Sequence, residues 1–286
     1  MLINYSNVNK FTDYISIFKK NNNKTAVIDS SIVNIDLSDS CNHLGDTILF
    51  GPLIMGLIQK GYLVNVTDNY GMYKLLFGLN EVSVGGFCIG RSYSPFLRQR
   101  IGDPGLINFY SLSDIPIAES LYKKFLPGEN HHSSLESFRK IFFDKMIRAS
   151  IVPLIDVNHI IISPSINSRA IGIYPSPSKV YGEFISKVHQ YKIKGYSIVS
   201  IGQIGLKKSQ LECQLEGLTD IDLRGKTKWH QLPSMFVNPN CYSIVTFDTF
   251  TYHLGILLKI KHDLFSKSWL SKSEYKWIEK RFTPGF

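Results

Sequence analysis

The sequence predicts an α/β protein built from two open domains with mostly parallel sheets. Two observations lead to this prediction: strands alternate with helices in both halves, and the strands are short runs bounded by Gly, Ser, Pro or Asp. The length of 286 residues also agrees with this prediction, because it suits two domains of ordinary size. We therefore expect an N-terminal domain over 1–155 and a C-terminal domain over 156–286.

The first half opens with a strand–loop–helix–strand unit. Apolar and polar residues alternate over 32–37, which predicts a strand, and the turn formers of 38–46 predict a loop. Apolar residues recur at helical spacing over 47–60, and Gly61 supplies a stop. The next strand is predicted over 62–67, so a right-handed crossover is expected.

The remainder of the first half gives weaker signals. The polar N-terminus predicts a helix over 11–19, before the first strand. Residues 85–130 have no clear period, and His131 and His132 follow in a polar stretch. An apolar stripe then predicts a helix over 134–149.

The second half repeats the alternation. The predicted elements are a buried-type strand over 159–163, a Ser/Pro/Gly-rich loop over 164–178, a helix over 180–191, strands over 196–201, 219–223 and 243–246, and helices starting near Trp229 and Thr249. Ligands of open parallel sheets bind beyond the carboxyl ends of the strands. Function is therefore expected in four loops, at 38–46, 163–178, 202–205 and 247–253.

Composition and charge exclude several classes of protein. Thirty-two Lys and Arg against 23 Asp and Glu give a net charge of +9, which favours an anionic partner: a nucleotide, a nucleic acid or a lipid surface. The longest nearly apolar run, 48–58, is too short to span a bilayer, and the N-terminus lacks a signal-peptide pattern. The four cysteines are far apart, so we expect reduced thiols in a cytoplasmic protein and neither a zinc site nor a disulfide framework.

The segment Phe247-Asp-Thr-Phe-Thr-Tyr-His253 is the most informative. It follows a predicted strand and enters a helix, where free backbone N–H groups favour phosphate. Asp248 and Thr249 are placed to cap that helix or to contact a sugar hydroxyl, and His253 is one turn further along. A plain helix cap followed by a half-buried histidine is the alternative interpretation.

Two further segments contain candidate polar residues. In Asp222-Leu-Arg-Gly-Lys-Thr227, Arg224 and Lys226 are candidate phosphate contacts, with a solvated turn as the alternative. In His43-Leu-Gly-Asp46, the aspartate is either a helix cap or a base that takes a proton from an acceptor hydroxyl. Gly45 would let the backbone approach a bound sugar, and we group His43 and Gly45 as an acceptor loop.

The order of these motifs resembles one family. Gly-Asp before the first long helix, Ser-Pro-Ser after a mid-chain strand, D-L-R-G-K-T and D-T-x-x-x-H are similar to the ADP-heptose:lipopolysaccharide heptosyltransferases and their relatives. The similarity extends from about residue 32 to 255 and is strongest at 45–46, 222–227 and 248–253. It implies the GT-B fold of two facing Rossmann-like domains. The N-terminal domain, 1–155, would bind the acceptor, and the C-terminal domain, 156–286, would bind the nucleotide sugar.

The resemblance also implies roles for individual residues. Asp46 would be the general base. The residues that would bind the donor sugar and diphosphate are Ser163, Ser165, Arg169, Asp248, Thr249 and His253. No metal and no cofactor is expected, since the nucleotide sugar is itself the substrate and preorganised positive charge near Thr249 would stabilise its diphosphate in place of a metal.

The sequence departs from the family pattern in several places. Phe250 stands where the family has the Gly after D-T, and the family's Lys-Trp-Pro is reduced to Tyr174-Pro175. The chain is short for the family, and no apolar strand is evident after His253. We therefore expect the fold and reaction class of the family, and leave the donor open.

The C-terminal tail, 255–286, is basic and aromatic. It contains seven Lys and Arg against three Asp and Glu, interleaved with Trp269 and Trp277. Such a segment suits either contact with an anionic membrane surface or packing on the protein.

Together these features predict an inverting, metal-independent glycosyltransferase. It would move a sugar from a nucleotide-diphosphate donor to a glycan or lipid-linked acceptor of the bacterial surface: lipopolysaccharide core, O-antigen or capsule. It would be cytoplasmic, or peripheral on the inner face of the cytoplasmic membrane. Nucleic acid is not an expected partner, since no motif besides charge supports it. The alternatives are a nucleotide-sugar epimerase or hydrolase on the same fold, and a non-catalytic binding subunit.

Overall fold

A computed structural model describes residues 31–38, 44–82, 87–89, 117–149, 155–164, 177–204, 217–247 and 249–264. These residues form two compact units, the first ending at Phe138 and the second beginning at Arg139, and each contains its own sheet. Every pair of neighbouring strands in the described sheets is parallel, so the predicted α/β class is confirmed. The predicted helix over 11–19, most of 85–116 and residues 265–286 of the tail lie outside the described residues.

The first unit has a three-stranded sheet in the order β2-β1-β3. Its central strand is β1, which is paired on both sides and whose interior residues are fully buried. The elements, in chain order, are β1 (Ile32–Asp36), α1 (Leu44–Ile48), α2 (Gly51–Gln59), β2 (Leu63–Thr67), α3 (Met72–Phe77), β3 (Phe87–Ile89), α4 (Ile117–Phe125) and the start of α5 (His131–Ala149).

The predicted first long helix is α2, and its packing explains its glycines. A Cβ on Gly51 would lie 2.1 Å from the ring of Phe138, and one on Gly56 would lie 2.5 Å from the ring of Tyr122. Only glycine lets the neighbouring helices approach α2 so closely. Gly61, at φ 82°, ends the helix as predicted and donates its N–H to the Ile58 carbonyl (3.0 Å).

The second unit has a five-stranded sheet in the order β6-β5-β4-β7-β8. All five residues of its central strand are buried, as expected of a strand covered on both faces. After the end of α5, the elements are β4 (His159–Ser163), α6 (Pro177–Ile193), β5 (Ser197–Ser200), β6 (Ile221–Asp222), a 3₁₀ turn (Trp229–Gln231), α7 (Leu232–Phe236), β7 (Cys241–Thr246), α8 (Phe250–Leu257) and β8 (His262–Leu264).

Helix α6 covers one face of this sheet. The apolar stripe of the helix packs onto alternate residues of β4, β5 and β7, which all point to that face. The resulting core contains Ile160, Ile162, Phe184, Val188, Ile198, Val245 and Phe247. The carboxyl ends of the strands are thus held in a fixed register above this core.

Several local predictions were wrong in their bounds or their existence. The predicted loop 38–46 includes α1 from Leu44, where Thr47 and Ile48 are fully buried and Tyr73 donates a hydrogen bond to the Thr47 carbonyl (2.6 Å). The helix predicted from 134 begins at His131, because Asn130 accepts the N–H of Ser133 (3.2 Å) and caps it.

Three other elements also differ from expectation. Helix α4 lies in the stretch without clear period, and Tyr122 and Phe125 bury their rings there. The strand predicted over 219–223 is reduced to two residues at the sheet edge. Strand β8 was not predicted, because its sequence His-Asp-Leu carries polar residues; its Asp263 accepts a hydrogen bond from the Tyr191 hydroxyl (2.6 Å).

Candidate functional site

The strand order of the second unit defines a topological switch point between β4 and β7. The chain adds β5 and β6 on one side of β4 and then crosses to place β7 and β8 on the other side. Ligands of such sheets bind beyond the carboxyl ends at this point. Ser163 ends β4, Thr246 ends β7, and the two are register partners. Both side chains therefore lie on the same face, and both are buried.

Three hydroxyl-bearing residues meet at this edge. The Thr246 hydroxyl donates to the Phe247 carbonyl (3.0 Å) and lies 3.1 Å from the Thr249 hydroxyl. The single proton of the Thr246 hydroxyl is used in its bond to the Phe247 carbonyl. The hydrogen bond between the two threonines is therefore donated by Thr249. The Thr249 oxygen keeps its lone pairs, and its proton becomes available to a ligand when the side chain rotates.

The helix that starts here supplies backbone donors. Thr249 is its N-cap, with an extended backbone (φ −137°, ψ 177°), and its carbonyl accepts the N–H groups of Tyr252 (3.0 Å) and His253 (3.3 Å). The N–H groups of Phe250 and Thr251 precede any possible acceptor within the helix. A helix start of this kind, next to two hydroxyls, has the donors and the partial positive charge that bind phosphate.

The structure describes only some of the other residues predicted to bind the sugar donor. His253 lies in the first turn of α8 and is only 2% exposed, so the structure buries this predicted donor contact. Ser163 is at the switch point, as described. Ser165, Arg169 and Asp248 lie outside the described residues.

Phe250, the first residue of α8, contacts Trp229. The two rings are perpendicular, with centroids 6.4 Å apart, and both side chains are half-buried. The contact joins the segment after β6 to the first turn of α8. An aromatic pair therefore borders the switch point, next to the hydroxyls.

Arg224 and Lys226, the candidate phosphate contacts, are both bonded to Asp222. Arg224 donates from Nε (2.9 Å) and Nη2 (2.7 Å) to the two carboxylate oxygens, and Lys226 donates to the Asp222 carbonyl (2.8 Å). The hydrogen bond from the Arg224 side chain holds the pKa of Asp222 below its usual value. These contacts order the turn after β6, two strands away from the switch point.

In the first unit, the predicted acceptor residues lie around α1. Gly45 and Asp46 are in this helix, and Gly45 is buried. The side chain of Asp46 and all of His43 lie outside the described residues. The Gly-Asp pair therefore stands in a helical turn after β1 and not in an open loop.

Two other carboxylates lie at the carboxyl ends of β1 and β2 and bond to local groups. Asp36 accepts the N–H (3.0 Å) and hydroxyl (2.6 Å) of Ser38, which closes the turn after β1. Asp68 accepts the N–H groups of Tyr70, Met72 and Tyr73 and so caps α3. Both serve as backbone caps.

The described residues hold no metal cluster, and their free cysteine is not a thiolate. Within the described ranges, no cluster of three or more His, Cys, Asp or Glu side chains has the arrangement of a metal site. Burial raises the pKa of the free Cys241 thiol to about 12, so it is protonated at neutral pH. Of the helices in the described part of the chain, none is long and apolar enough to cross a membrane.

The sequence analysis missed two residues of this site. Thr246 was assigned only as the end of a strand, although its position directly before the D-T loop indicates a hydroxyl at the carboxyl edge. Trp229 was noted only as the start of a helix. Its contact with Phe250 depends on the crossover from β6 to β7, which no local pattern encodes.

No protein-family model matches this sequence. No curated protein matches it. Among solved structures, the chain is similar to the glycosyl transferase family 9 protein from Veillonella parvula DSM 2008. The sequence identity is 15% and the TM-score 0.49, over 82% of this chain and 80% of that one. This similarity assigns no residue of the chain a role.

Proposed function

We propose that the protein is a glycosyltransferase that takes its sugar from a nucleotide-diphosphate donor. The observation that carries the proposal is the grouping of Ser163, Thr246 and Thr249 at the switch point, directly before the free N–H groups of α8. Hydroxyls and helix-start N–H groups are donors that suit a diphosphate without a metal ion. The motif order of the sequence gives independent support for the reaction class.

The proposed reaction is a single inverting displacement. Asp46 takes the proton of an acceptor hydroxyl, and the acceptor oxygen bonds to the anomeric carbon of the donor from the face opposite the diphosphate. The bond between that carbon and the phosphate oxygen breaks, and the nucleoside diphosphate leaves. Its new charge is stabilised by the α8 N–H groups and by Thr249. The donors are positioned before the reaction begins, so they need no reorganisation.

The wider setting of the reaction belongs to the same proposal. The acceptor is a bacterial surface glycan or its lipid-linked precursor: lipopolysaccharide core, O-antigen or capsule. The reaction takes place in the cytoplasm or at the inner face of the cytoplasmic membrane.

An Asp46→Asn variant tests the chemical step. We expect it to bind nucleoside diphosphates like the parent protein while its transfer rate falls by at least about 100-fold, the contribution of a general base. Transfer is measured with a panel of nucleotide sugars and acceptor glycans, and folding by circular dichroism. Near-normal transfer by the folded variant would remove Asp46 from the proposal.

One observation favours a second candidate, a non-catalytic binding subunit. Phe250 stands at the helix start, where the family has a glycine, and its ring contacts Trp229. Such a subunit would bind nucleotide without turnover. Donor cleavage in the presence of acceptor, absent in Asp46→Asn, distinguishes the enzyme from the subunit.

A further inference from the structure

The amino-terminal edge of the second unit's sheet carries a cluster of tyrosines. Because the paired strands of this sheet are all parallel, the residues that precede each strand lie along this one edge. The rings of Tyr191, Tyr196 and Tyr242 contact one another, with centroids 5.9 Å, 6.1 Å and 4.6 Å apart. The closest pair, Tyr196 and Tyr242, is stacked, although β4 separates β5 from β7. This stack therefore joins the starts of β5 and β7.

Two exposed lysines border these rings. Lys261, which precedes β8, donates a hydrogen bond to the Tyr242 hydroxyl (2.6 Å), and its Nζ lies 3.9 Å from the centre of that ring. Lys194 precedes β5, and its Nζ lies 6.0 Å from the centre of the Tyr191 ring. The hydrogen bond from Lys261 holds the pKa of Tyr242 below its usual value, and the charges of both lysines act in the same direction. Both cations thus lie close to Tyr242.

An exposed isoleucine belongs to the same turn. Ile193 is the last residue of α6 and is 86% exposed. The Tyr196 N–H closes this turn by donating to the Tyr191 carbonyl (3.2 Å), and Gly195 reverses the chain at φ 83°. The ring contacts of these tyrosines place Ile193 beside the stacked pair. We call Ile193, Lys194, Tyr196, Tyr242 and Lys261 the amino-edge surface.

The positive charge of this surface is not cancelled by the aspartates of the same edge. Two of them are paired with other lysines, Asp263 with Lys187 (3.4 Å) and Asp220 with Lys192 (3.0 Å). Asp156 is exposed and precedes β4. Within the described residues, the two lysines of the amino-edge surface form no ion pair. The surface therefore suits an anionic partner.

The combination of cations and exposed apolar side chains indicates which anionic partner fits. A lysine near an anionic bilayer is attracted by the headgroups, and a tyrosine, with its apolar ring and polar tip, suits the membrane interface. An exposed isoleucine gains free energy when it leaves water for that interface. A soluble anion would contact the lysines and leave the isoleucine in water. A stable protein interface needs about 20–30 residues a side, many more than the amino-edge surface has.

We infer that the amino-edge surface docks the second unit on an anionic lipid bilayer, with Lys194 and Lys261 at the headgroups and Ile193 and Tyr242 in the interface. Among these residues only Lys261 belongs to the basic tail, 255–286. The candidate site is at the opposite edge of the same sheet, so docking leaves the hydroxyls of the switch point uncovered. The inference does not require sugar transfer, and its failure would leave the proposed function standing.

The test measures binding of the full chain to lipid vesicles by sedimentation. Vesicles of phosphatidylcholine are compared with vesicles of phosphatidylcholine and phosphatidylglycerol in equal parts. We expect the wild-type protein to bind the mixed vesicles at least about 10-fold more tightly. Lys194→Gln and Lys261→Gln should each weaken this binding by about 5-fold, the contribution of one lysine near an anionic surface. Ile193→Ser should weaken it by about 3- to 30-fold, because an apolar side chain no longer enters the interface.

Matched substitutions at the opposite edge serve as controls. Lys228 is exposed after β6, and Ile204 is 66% exposed after β5. Lys228→Gln and Ile204→Ser therefore remove the same charge and the same side chain as the test variants. The five-residue strand β4 spans about 16 Å, twice the Debye length of about 8 Å, so both controls should stay within about 2-fold of the wild-type affinity. Circular dichroism confirms that every variant is folded.

Each outcome supports or overturns the inference. Losses in the three test variants with unchanged controls would support it. Absence of wild-type binding to the mixed vesicles would overturn it, and so would binding that the test variants leave unchanged, since the attachment would then lie elsewhere in the chain. Equal losses in test variants and controls would show a general effect of charge and overturn it as well. Losses in the lysine variants alone would replace the bilayer by a soluble anion.

Discussion

Gly56 offers a sharp test of how α2 packs in the first unit. A Cβ at this position would lie 2.5 Å from Cε2 and 2.9 Å from the hydroxyl of Tyr122, and 2.8 Å from Cδ1 of Leu126. Tyr122 has little room to move, because its ring is 2% exposed and its hydroxyl bonds to that of Ser134 (3.0 Å). Gly56→Ala therefore forces a shift in a tightly packed region.

Two effects of opposite sign set the magnitude. Alanine stabilises a helix interior by about 1 kcal/mol relative to glycine, and overpacking a tight core costs about 1–3 kcal/mol. With three contacts below 3.0 Å on buried side chains, the upper part of that range applies. We expect the free energy of unfolding to fall by about 1–2 kcal/mol in net terms.

A matched substitution isolates the steric effect. Gly182 is inside α6, and a Cβ there would meet nothing within 4 Å. Gly182→Ala should therefore raise the free energy of unfolding by about 0.5–1 kcal/mol, the propensity gain alone. Urea denaturation followed by circular dichroism measures both variants. Because removal of the ring also removes the clash, Gly56→Ala and Tyr122→Ala should couple in a double-mutant cycle. Stabilisation by Gly56→Ala, or additive effects in the cycle, would refute the packing argument.

Two other predictions concern the titration of His131 and the hydroxyl of Thr246 at the switch point. Burial lowers the pKa of His131 from 6.5 to about 4. Between these two pH values the unfolded chain binds a proton that the folded chain does not. The free energy of unfolding should therefore fall as the pH drops from 6.5 towards 4, by at most about 1.4 kcal/mol per pH unit. Urea denaturation at pH 7 and pH 5 should show this loss of stability in the wild-type protein and a smaller loss in His131→Gln. Equal losses in the two proteins would contradict the prediction. Thr246→Val should weaken pyrophosphate binding by about 3- to 10-fold, the value of one hydrogen bond, because it removes the partner that orients Thr249. Thr246→Ser should preserve binding in a calorimetric titration, and equal affinities of the two variants would count against the site.

The core elements of the fold were predictable because their signals are local. Strand β4 was predicted with its observed bounds, since a run of isoleucines between polar residues indicates a strand buried on both faces. Helix α8 was expected to start near Thr249, which is its N-cap. Strand β8 was missed because its polar residues carry no local strand signal. Its Asp263 is held by a hydrogen bond from Tyr191, which is far away in the sequence.

The candidate site was also predictable only in part from the sequence. The sequence determined that hydroxyl and charged residues follow the strands of a parallel sheet, because residue type and strand periodicity are both local properties. Only the tertiary structure decided that Ser163 lies beside Thr246, that Arg224 is held by Asp222, and that Trp229 meets Phe250. Those pairings depend on strand order, register and a crossover between β6 and β7. No local pattern encodes them, because each arises when segments distant in sequence pack around the same core.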